Sequence, residues 1–386
     1  MIRTFRYPLH PNKSQEATLR EWFGFCRLLY NSALQERRDA WRTHNKNITY
    51  YDQCKSLTEI RKDKDYAKTP AWTSQRVLAK LDNAFKGFFR RIKSGDTPGY
   101  PRFKPSKRWN SLDFIPNPNL LLSQKDRVHI TSLGLVKANI YRPLQGIPKK
   151  TTVKLDATGK WWVSISCDIG ESPPKSEVKT STGIDLGLTH FATLADGSQI
   201  PNPRFFRQSE ELLAARQRSL QTKKRGSNNR NRARVLIAKI HKKIHNQRLD
   251  FFRKLAVSLF ENYDMVAYED LKGMTSGYLA KSVHDASWRT FTGILACKAE
   301  SAGKHAIPVN PRNTSQRCSG CQGMPSVKKD LSVRVHSCPE CGLILDRDHN
   351  AAINIHELGL SSLLGKPGEM SLGTLETYHL IEHPIW

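Results

Sequence analysis

The chain has 386 residues and a formal charge of +27, from 62 Lys and Arg against 35 Asp and Glu. Its 38% hydrophobic and 25% charged composition suits two or three packed domains and excludes wholesale disorder. So large a positive excess repels itself unless a polyanion relieves it, which makes nucleic acid the first partner to consider; no run of about 18 apolar residues exists to span a bilayer.

From the N-terminus, Met1–Tyr7 reads as a short strand, and the stretch MIRTFRYPLHPNKS lacks the apolar core of a secretory signal. A cytoplasmic location is therefore expected, nucleoid-associated if the host is bacterial. In that reducing compartment the eight cysteines point to metal or buried thiols before disulfides. Asn12, with Gln15 three residues on, predicts a helix N-cap. Leu19, Trp22, Phe23, Cys26, Leu29, Tyr30, Ala33 and Leu34 then share one helical face. A second amphipathic helix is predicted over 74–93. Val77, Leu78, Leu81, Phe85, Phe88, Phe89 and Ile92 point inward, Gly95 is the stop, and Arg76, Lys80, Lys86, Arg90 and Lys93 lie on the other face. The following segment is basic too: residues 86–108 hold eight Lys/Arg against Asp96. Either face reads as a solvated bundle surface or as a nucleic-acid surface, and the net charge favours the second.

Residues 110–170 change to short Thr/Val/Ile runs broken by Pro and Gly. Val163, Ile165, Cys167 and Ile169 alternate with polar residues, so an antiparallel β-domain or barrel is expected, ending near Pro173-Pro174. From Thr182 onward strands and helices alternate as in an α/β domain. STGIDLGLTHFATLADGS predicts two strands with Asp196-Gly197 as the hairpin turn. Long basic helices follow, with sixteen Lys/Arg between 204 and 254 against Glu210, Glu211 and Asp250. Lys223, Lys224, Arg225, Lys242 and Lys243 are the candidate nucleic-acid contacts there. His241 and His245 stand four apart, but the surrounding cations disfavour a metal between them. From Glu357 onward four glutamates face one lysine, and 359–386 is expected to be a disordered tail. GLSSLLGKP within it only imitates a phosphate loop, because its glycines are too far apart and Pro367 replaces the Ser/Thr.

Two features carry chemistry. Cys318-x2-Cys321 and Cys338-x2-Cys341 have the spacing of a closed tetrahedral zinc site, a structural ribbon over 316–345; two disulfides or an iron–sulfur centre are the alternatives. Cys26, Cys54, Cys167 and Cys297 have no ligand spacing and read as small buried residues. Asp185 sits mid-strand beside Gly187, on the face opposite Ile184 and Leu186. Glu269 ends the short buried-type strand Met265–Tyr268, where ligands gather in open α/β sheets. Asp348 starts a helix, and a nearby acid, Asp346, is not assigned to metal. Each acid alone is an ordinary strand-end charge or cap. Together, in one basic α/β domain, they can converge on divalent metal.

The IDLG around Asp185, YEDL around Glu269, the NTSQRCSGC…CPECG ribbon and DRDHNAAINI resemble the TnpB family, the transposon-encoded RNA-guided DNA endonucleases related to type V CRISPR effectors. GYPRFK (Gly99–Lys104), RLDFFRKLA and DASW (Asp285–Trp288) are similar as well. Gln322 departs from the glycine that many relatives place after the second cysteine. The resemblance implies a multidomain α+β chain. A β-barrel wedge would comprise 1–10 and 110–178, with a helical recognition domain over 11–109. An RNase H-like (RuvC-type) α/β nuclease domain would comprise 179–315 and 346–358, interrupted by the zinc ribbon. It further implies Asp185, Glu269 and Asp348 as the catalytic Mg²⁺ (or Mn²⁺) ligands for two-metal hydrolysis, and a guide RNA from the transposon end. Double-stranded target DNA would be cut next to a short adjacent motif, with protein gripping backbone and base pairing reading sequence. Trp72, Gln75, Arg102 and Lys104 join the candidate nucleic-acid contacts.

Two other classes share these features. An unguided transposase or junction resolvase would use the same chemistry, but its usual acid order is Asp, Asp, Glu. A catalytically dispensable RNA-guided DNA-binding repressor would have no use for three acids beside phosphates.

Overall fold

Burial alternates from the first residues: in β1 (Ile2–His10) Phe5, Tyr7 and Leu9 face inward and their neighbours do not. The structure, a computed structural model, describes residues 1–119, 121–122, 124–271, 280–325 and 333–365. It divides into two units, Met1–Glu171 and Ser172–Trp386, so the chain passes from one to the other just before Pro173-Pro174.

In the first unit, α1 (Lys13–His44) starts with a reciprocal capping box between Asn12 and Gln15. It buries Leu19, Trp22, Phe23, Cys26, Tyr30, Ala33 and Leu34, while Leu29 packs at the margin. After α2 (Tyr50–Ile60) and α3 (Lys64–Ala67), α4 (Ala71–Lys93) begins three residues earlier than its periodicity predicts, because Pro70 precedes it and Thr73 and Ser74 are buried. The inward face is fully buried only through Leu81, with Phe85 packed at the core's margin. Phe89 is 60% and Ile92 50% exposed, since the helix runs on past the core that would cover them. Ser94 caps it and Gly95, at φ 71°, turns the chain away.

The strands β2 (Ser111–Phe114), β3 (Arg127–Ile130), β4 (Gly134–Ala138), β5 (Ile147–Leu155) and β6 (Trp161–Asp168) join β1 in an antiparallel sheet of order β2-β5-β6-β1-β4-β3. β1 therefore sits in the middle, paired with β6 from Ile2↔Asp168 to Leu9↔Trp161. Among the described residues no ladder joins the edge strands β2 and β3, so the sheet is not closed by backbone pairing as a barrel is. Helices and strands share one core that runs from Phe5 through Leu34 and Leu81 to Cys167.

The second unit opens with β7 (Ser181–Asp185), β8 (His190–Leu194) and β9 (Gln199–Pro201). These are three antiparallel strands where the sequence predicts two; the Asp196-Gly197 turn, with Gly197 at φ 85°, joins the second to the third. A helical hairpin of α5 (Phe205–Gln221) and α6 (Asn228–Asn262) leads to β10 (Met265–Glu269), which lies parallel to β7. Then come α7 (Ala280–Ala286), α8 (Trp288–Ala302), β11 (His305–Val309) parallel to β10, the small hairpin β12 (Val335–Ser337) and β13 (Ile344–Asp346), and α9 (Arg347–Leu363). The larger sheet has the order β11-β10-β7-β8-β9.

β10 is buried throughout because it is covered on both faces. Val266 and Tyr268 pack toward Phe252 and Phe291 of α6 and α8, whereas Met265 and Ala267 pack with Ile355 of α9. α9 can lie this close to the sheet because two side chains are missing. A Cβ on Gly183 would come within 2.3 Å of the Ala352 carbonyl, and one on Gly359 within 2.4 Å of the Ala267 Cβ. Gly359–Leu363, expected to begin a disordered tail, is the last turn of this helix. The remainder, 366–386, lies outside the described residues. No helix among the described residues is long and apolar enough to cross a membrane.

Candidate active site and metal centre

The parallel register pairs Ile184 with Tyr268, so the next residues, Asp185 and Glu269, leave two adjacent strands at the same end. Asp348 reaches them from the first turn of α9. A Cβ on Gly187 would stand 3.9 Å from an Asp348 carboxylate oxygen, which shows how near the helix start comes to the IDLG segment. The helix begins earlier than the sequence reading has it. Asp346 is the N-cap, accepting from the amides of Asp348 and His349 at 2.9 and 3.2 Å, and this leaves the Asp348 carboxylate off the cap and available to the cluster. The His349 ring rests against Gly197 and bonds the Ala195 carbonyl at 3.1 Å, tying the helix start to the β8–β9 turn.

The electrostatics are those of crowded acids. Burial raises the Asp185 pKa well above its ordinary 3.8, and the charges of Glu269 and Asp348 raise it further against the pull of Arg347 and Arg334. Burial also raises Glu269, partly offset by the hydroxyl of Thr314, which donates to its carboxylate. Asp348 is paired at 2.5 Å with Arg334, the residue preceding β12. Thr314 and Arg334 are functional candidates that the sequence reading misses. Nothing in their local pattern marks them, since each meets its acid only through the tertiary fold.

The four predicted cysteines do come together. Their sulfurs all lie within 4.8 Å of one another, with Cys318–Cys341 and Cys321–Cys338 at 3.6 Å each. A tetrahedron with metal–sulfur bonds of about 2.3 Å has edges of about 3.8 Å, so this set could hold one zinc ion. The sulfurs are too far apart for the disulfide alternative. Amide N–H groups, that of Cys341 first, lower the Cys338 thiol to about 7, whereas against the pull of the Gly323 and Leu343 amides the neighbouring sulfurs and burial raise Cys321, to about 12, and Cys341; a bound cation would favour the thiolate throughout the set. It is the one such group of His, Cys, Asp and Glu side chains among the described residues: Asp185, Glu269 and Asp348 lie near enough for their charges to act on Asp185 but do not close into one, and His241 and His245 belong to none. Cys26 and Cys167 are buried, as expected; Cys54 and Cys297 are only partly so.

Asn350 and Asn354, fully or almost fully buried on α9, fasten the cysteine knuckle to that helix. Asn350 accepts from the Ser319 amide at 2.9 Å and donates to the Arg317 carbonyl at 2.8 Å; Asn354 donates to the carbonyls of Thr314 and Arg317 at 2.8 and 2.9 Å. The same short segment thus carries Thr314, which holds Glu269, and the first cysteine ligand.

The predicted nucleic-acid contacts are scattered over both units. In the first, Gln75 is exposed and Trp72 half-buried, its ring beneath the Arg76 guanidinium at 5.4 Å. Trp72 lines a cavity of about 280 Å³ with Arg61, Pro70, Phe114, Ile115 and Thr131. Lys80 turns inward and pairs with the buried Asp113 at 3.2 Å, which makes it part of the fold's own charge balance. Burial alone would raise Asp113, but Lys80 and Lys150 hold it below the usual carboxylate range. Arg90 and Arg102 are exposed, and Lys104 is fixed by its backbone to Asn31, with its ammonium 5.6 Å from the Tyr30 ring centre. In the second unit Lys223, Lys224 and Arg225 form the tip between α5 and α6, while Lys242 and Lys243 lie along α6. Asp285 of the DASW motif anchors this hairpin: it accepts from the amides of Phe206 and Arg207 at the start of α5 and pairs with Arg248 of α6 at 2.7 Å.

Acids at the end of a mixed sheet, a four-cysteine knuckle fastened to the helix bearing the third acid, and long basic helices define a class of nucleic-acid-directed protein. Family models match in three places: one described as a probable transposase (OrfB_IS605) over 164–276, a Cas12f1-like TNB domain over 288–355, and an OrfB_IS605 helix-turn-helix domain over 1–46, which here folds as β1 and one 32-residue helix. A putative RNA-guided DNA endonuclease of Streptomyces pristinaespiralis is 32% identical over 368 residues, 93% of this chain and 90% of that one. The putative RNA-guided DNA endonuclease InsQ of Escherichia coli K12 is 29% identical over 382 residues, covering 93% and 92%. Among solved structures, that of a Cas12f1–sgRNA–target DNA complex matches with a TM-score of 0.60 at 14% identity, covering 89% of this chain and 83% of that one. The mini-RNA-guided endonuclease CRISPR-Cas_phi3 matches with a TM-score of 0.53 at 10% identity, covering 96% and 94%. The chain belongs to the OrfB_IS605, or TnpB, family.

Proposed function

We propose that this chain is an RNA-guided DNA endonuclease in which the larger sheet, with its helices on both faces, serves as an RNase H-like (RuvC-type) nuclease domain. The observation that carries the reading is the convergence of Asp185, Glu269 and Asp348 from β7, β10 and α9, in a family whose relatives bear that name. These three carboxylates would hold divalent metal, which supplies an activated water and a charge to stabilise the leaving oxygen. Their crowding favours that use, because burial and then the neighbouring acids raise the Asp185 pKa, and a bound cation would offset both. Thr314 orients Glu269 by donating to one of its oxygens. Arg334 holds Asp348 toward the site until a cation or a phosphate competes for the pair. The cysteine set would hold a structural zinc, since all four positions of a tetrahedron are filled by thiolates. A guide RNA and target DNA are the polyanions that a charge of +27 calls for, with the hairpin tip at Lys223–Arg225 and the basic end of α4 as contact surfaces.

The test joins the protein, RNA that co-purifies with it, and a duplex matching that RNA's 3′ segment flanked by randomised motifs. Wild type should cut a subset of the library with Mg²⁺ or Mn²⁺ and stop with EDTA. Asp185→Ala, Glu269→Ala and Asp348→Ala should each lower cutting by at least about 10³-fold, equivalent to roughly 4 kcal/mol of barrier, while retaining RNA. A wild type that cuts no library member, or an Asp185→Ala protein that cuts as well as wild type, overturns the reading.

A further inference from the structure

The last three turns of α4 carry apolar side chains that the core of the first unit covers only in part: Phe85 packs at its margin, and Phe89 and Ile92 are exposed. From Leu81, fully buried, to Lys93 the helix advances about 18 Å. Along it Phe85 and Phe88 are half-buried, and Phe89 and Ile92 lie open. The loop that follows returns Tyr100 and Phe103, 44% and 43% exposed, to the same region, held by a hydrogen bond from Arg91 to the Gly99 carbonyl at 3.0 Å. The rings brace one another. Tyr100 meets Phe85 and Phe88 edge-on at 5.6 and 5.3 Å, and Phe88 meets Phe89 at 5.1 Å. Guanidinium groups cover others: Arg38 stands 5.3 Å over Phe103 and Arg37 5.2 Å over Phe85.

We propose that this braced aromatic cluster is a stacking site for an unpaired nucleobase, with Phe89 as the platform and the surrounding cations as contacts for the flanking phosphates. An exposed Phe flanked by cations suits a ligand that offers a flat π-face and negative charge together, which an unpaired nucleotide does. A duplex hides its base faces inside the stack. A second copy of this chain would bring Arg90, Lys93 and Arg102 against the same cations of its partner, while Asp82 is already shared between Arg37 and Lys86. The site lies near one end of α4, whereas Trp72 and Gln75 lie near the other. It deepens the reading above, which makes the basic end of α4 a nucleic-acid contact surface, and its test is separate from that of cleavage, because stacking needs neither metal nor cutting.

The experiment uses the full chain, in wild-type and Asp185→Ala forms, with 19-nucleotide strands carrying one 5-iodouracil (length about 19, chosen to exceed a single-strand site). The arms are single-stranded DNA, single-stranded RNA and blunt duplex, each photocrosslinked and mapped by peptide mass. Expected is a crosslink within residues 85–103 from an unpaired strand and not from duplex, lost in Phe89→Ala and kept in Phe89→Trp. Affinity for that strand should fall at least about fivefold in Phe89→Ala with the salt slope unchanged, because stacking releases no counterions. Whichever single strand crosslinks identifies the source of the base. Absence of crosslinks at 85–103, equal labelling by duplex, or a Phe89→Ala change that appears only as loss of a dimer in light scattering would overturn the proposal, the last making the cluster an interface between copies.

Discussion

Burial first, and then the charges of Glu269 and Asp348, raise the Asp185 pKa, so its carboxylate is held at a cost in the absence of metal. A carboxyl whose folded-state pKa lies above its unfolded value binds more protons when folded. Stability is then lost as pH rises through the interval from the ordinary 3.8 up to the folded value. At neutral pH in EDTA, Asp185→Asn should therefore raise Tm, by roughly 2–4 °C if one kcal/mol of repulsion is removed. Saturating Mg²⁺ should narrow or reverse the gap. Calorimetry of both proteins with and without Mg²⁺ checks this, and an Asn variant less stable in EDTA contradicts it. At this scale the sequence was legible where a residue's role follows from its own element. The strand period puts Asp185 on the face opposite Ile184, and Glu269 ends its strand, where the structure also has them. Asp346 and Asp348 are two residues apart, and local pattern cannot tell which of them caps a helix and which faces a site. Thr314, Arg334, Asn350 and Asn354 meet their partners across 14 to 45 residues, so no local signal marks them.

At the scale of elements, α9 joins the acid cluster to the cysteine knuckle. Asn350→Ala leaves the buried Ser319 amide and one bond of the Arg317 carbonyl unmet, a loss of about 1–3 kcal/mol. The variant should keep its zinc, measured by elemental analysis, yet cut more slowly because the segment that carries Thr314 and Cys318 loses one of its ties to the helix that carries Asp348. Cys338→Ser should release zinc and loosen the same segment from the other side. If wild-type protein carries no zinc and all four thiols alkylate freely, the knuckle is not a metal site. The amphipathic pattern of α4 misled in one respect: periodicity tells which residues share a face, but not where the partner surface ends. Beyond Leu81 only Phe85 still packs at the margin of the core, and the stripe runs on to the exposed Phe89 and Ile92.

For the whole molecule, electrostatics dominate. The charge of +27 makes binding of any polyanion strongly salt-dependent, and the hairpin tip is the test of where that dependence lives. Lys223→Glu, Lys224→Glu and Arg225→Glu together should weaken RNA binding and flatten the slope of log K against log salt by about 2–3 units, close to one per lost phosphate contact. An unchanged slope would make the tip a solvated turn. The sequence located the passage between units at Pro173-Pro174, but not that the first helices and the first sheet share a core. Long-range pairing of β1 with β6, across the whole of the first unit, has no local trace.

The order of the acids along the chain has a further consequence. Asp185 and Glu269 are synthesised with the sheet, while Asp348 arrives on a helix that can be seated only after the strands bearing Gly183 and Ala267 exist to receive it. A nascent chain emerging from the ribosome therefore displays its basic helices long before it possesses a complete set of carboxylates. If the three acids are the metal ligands proposed above, a chain still being made would bind nucleic acid before it could cut it.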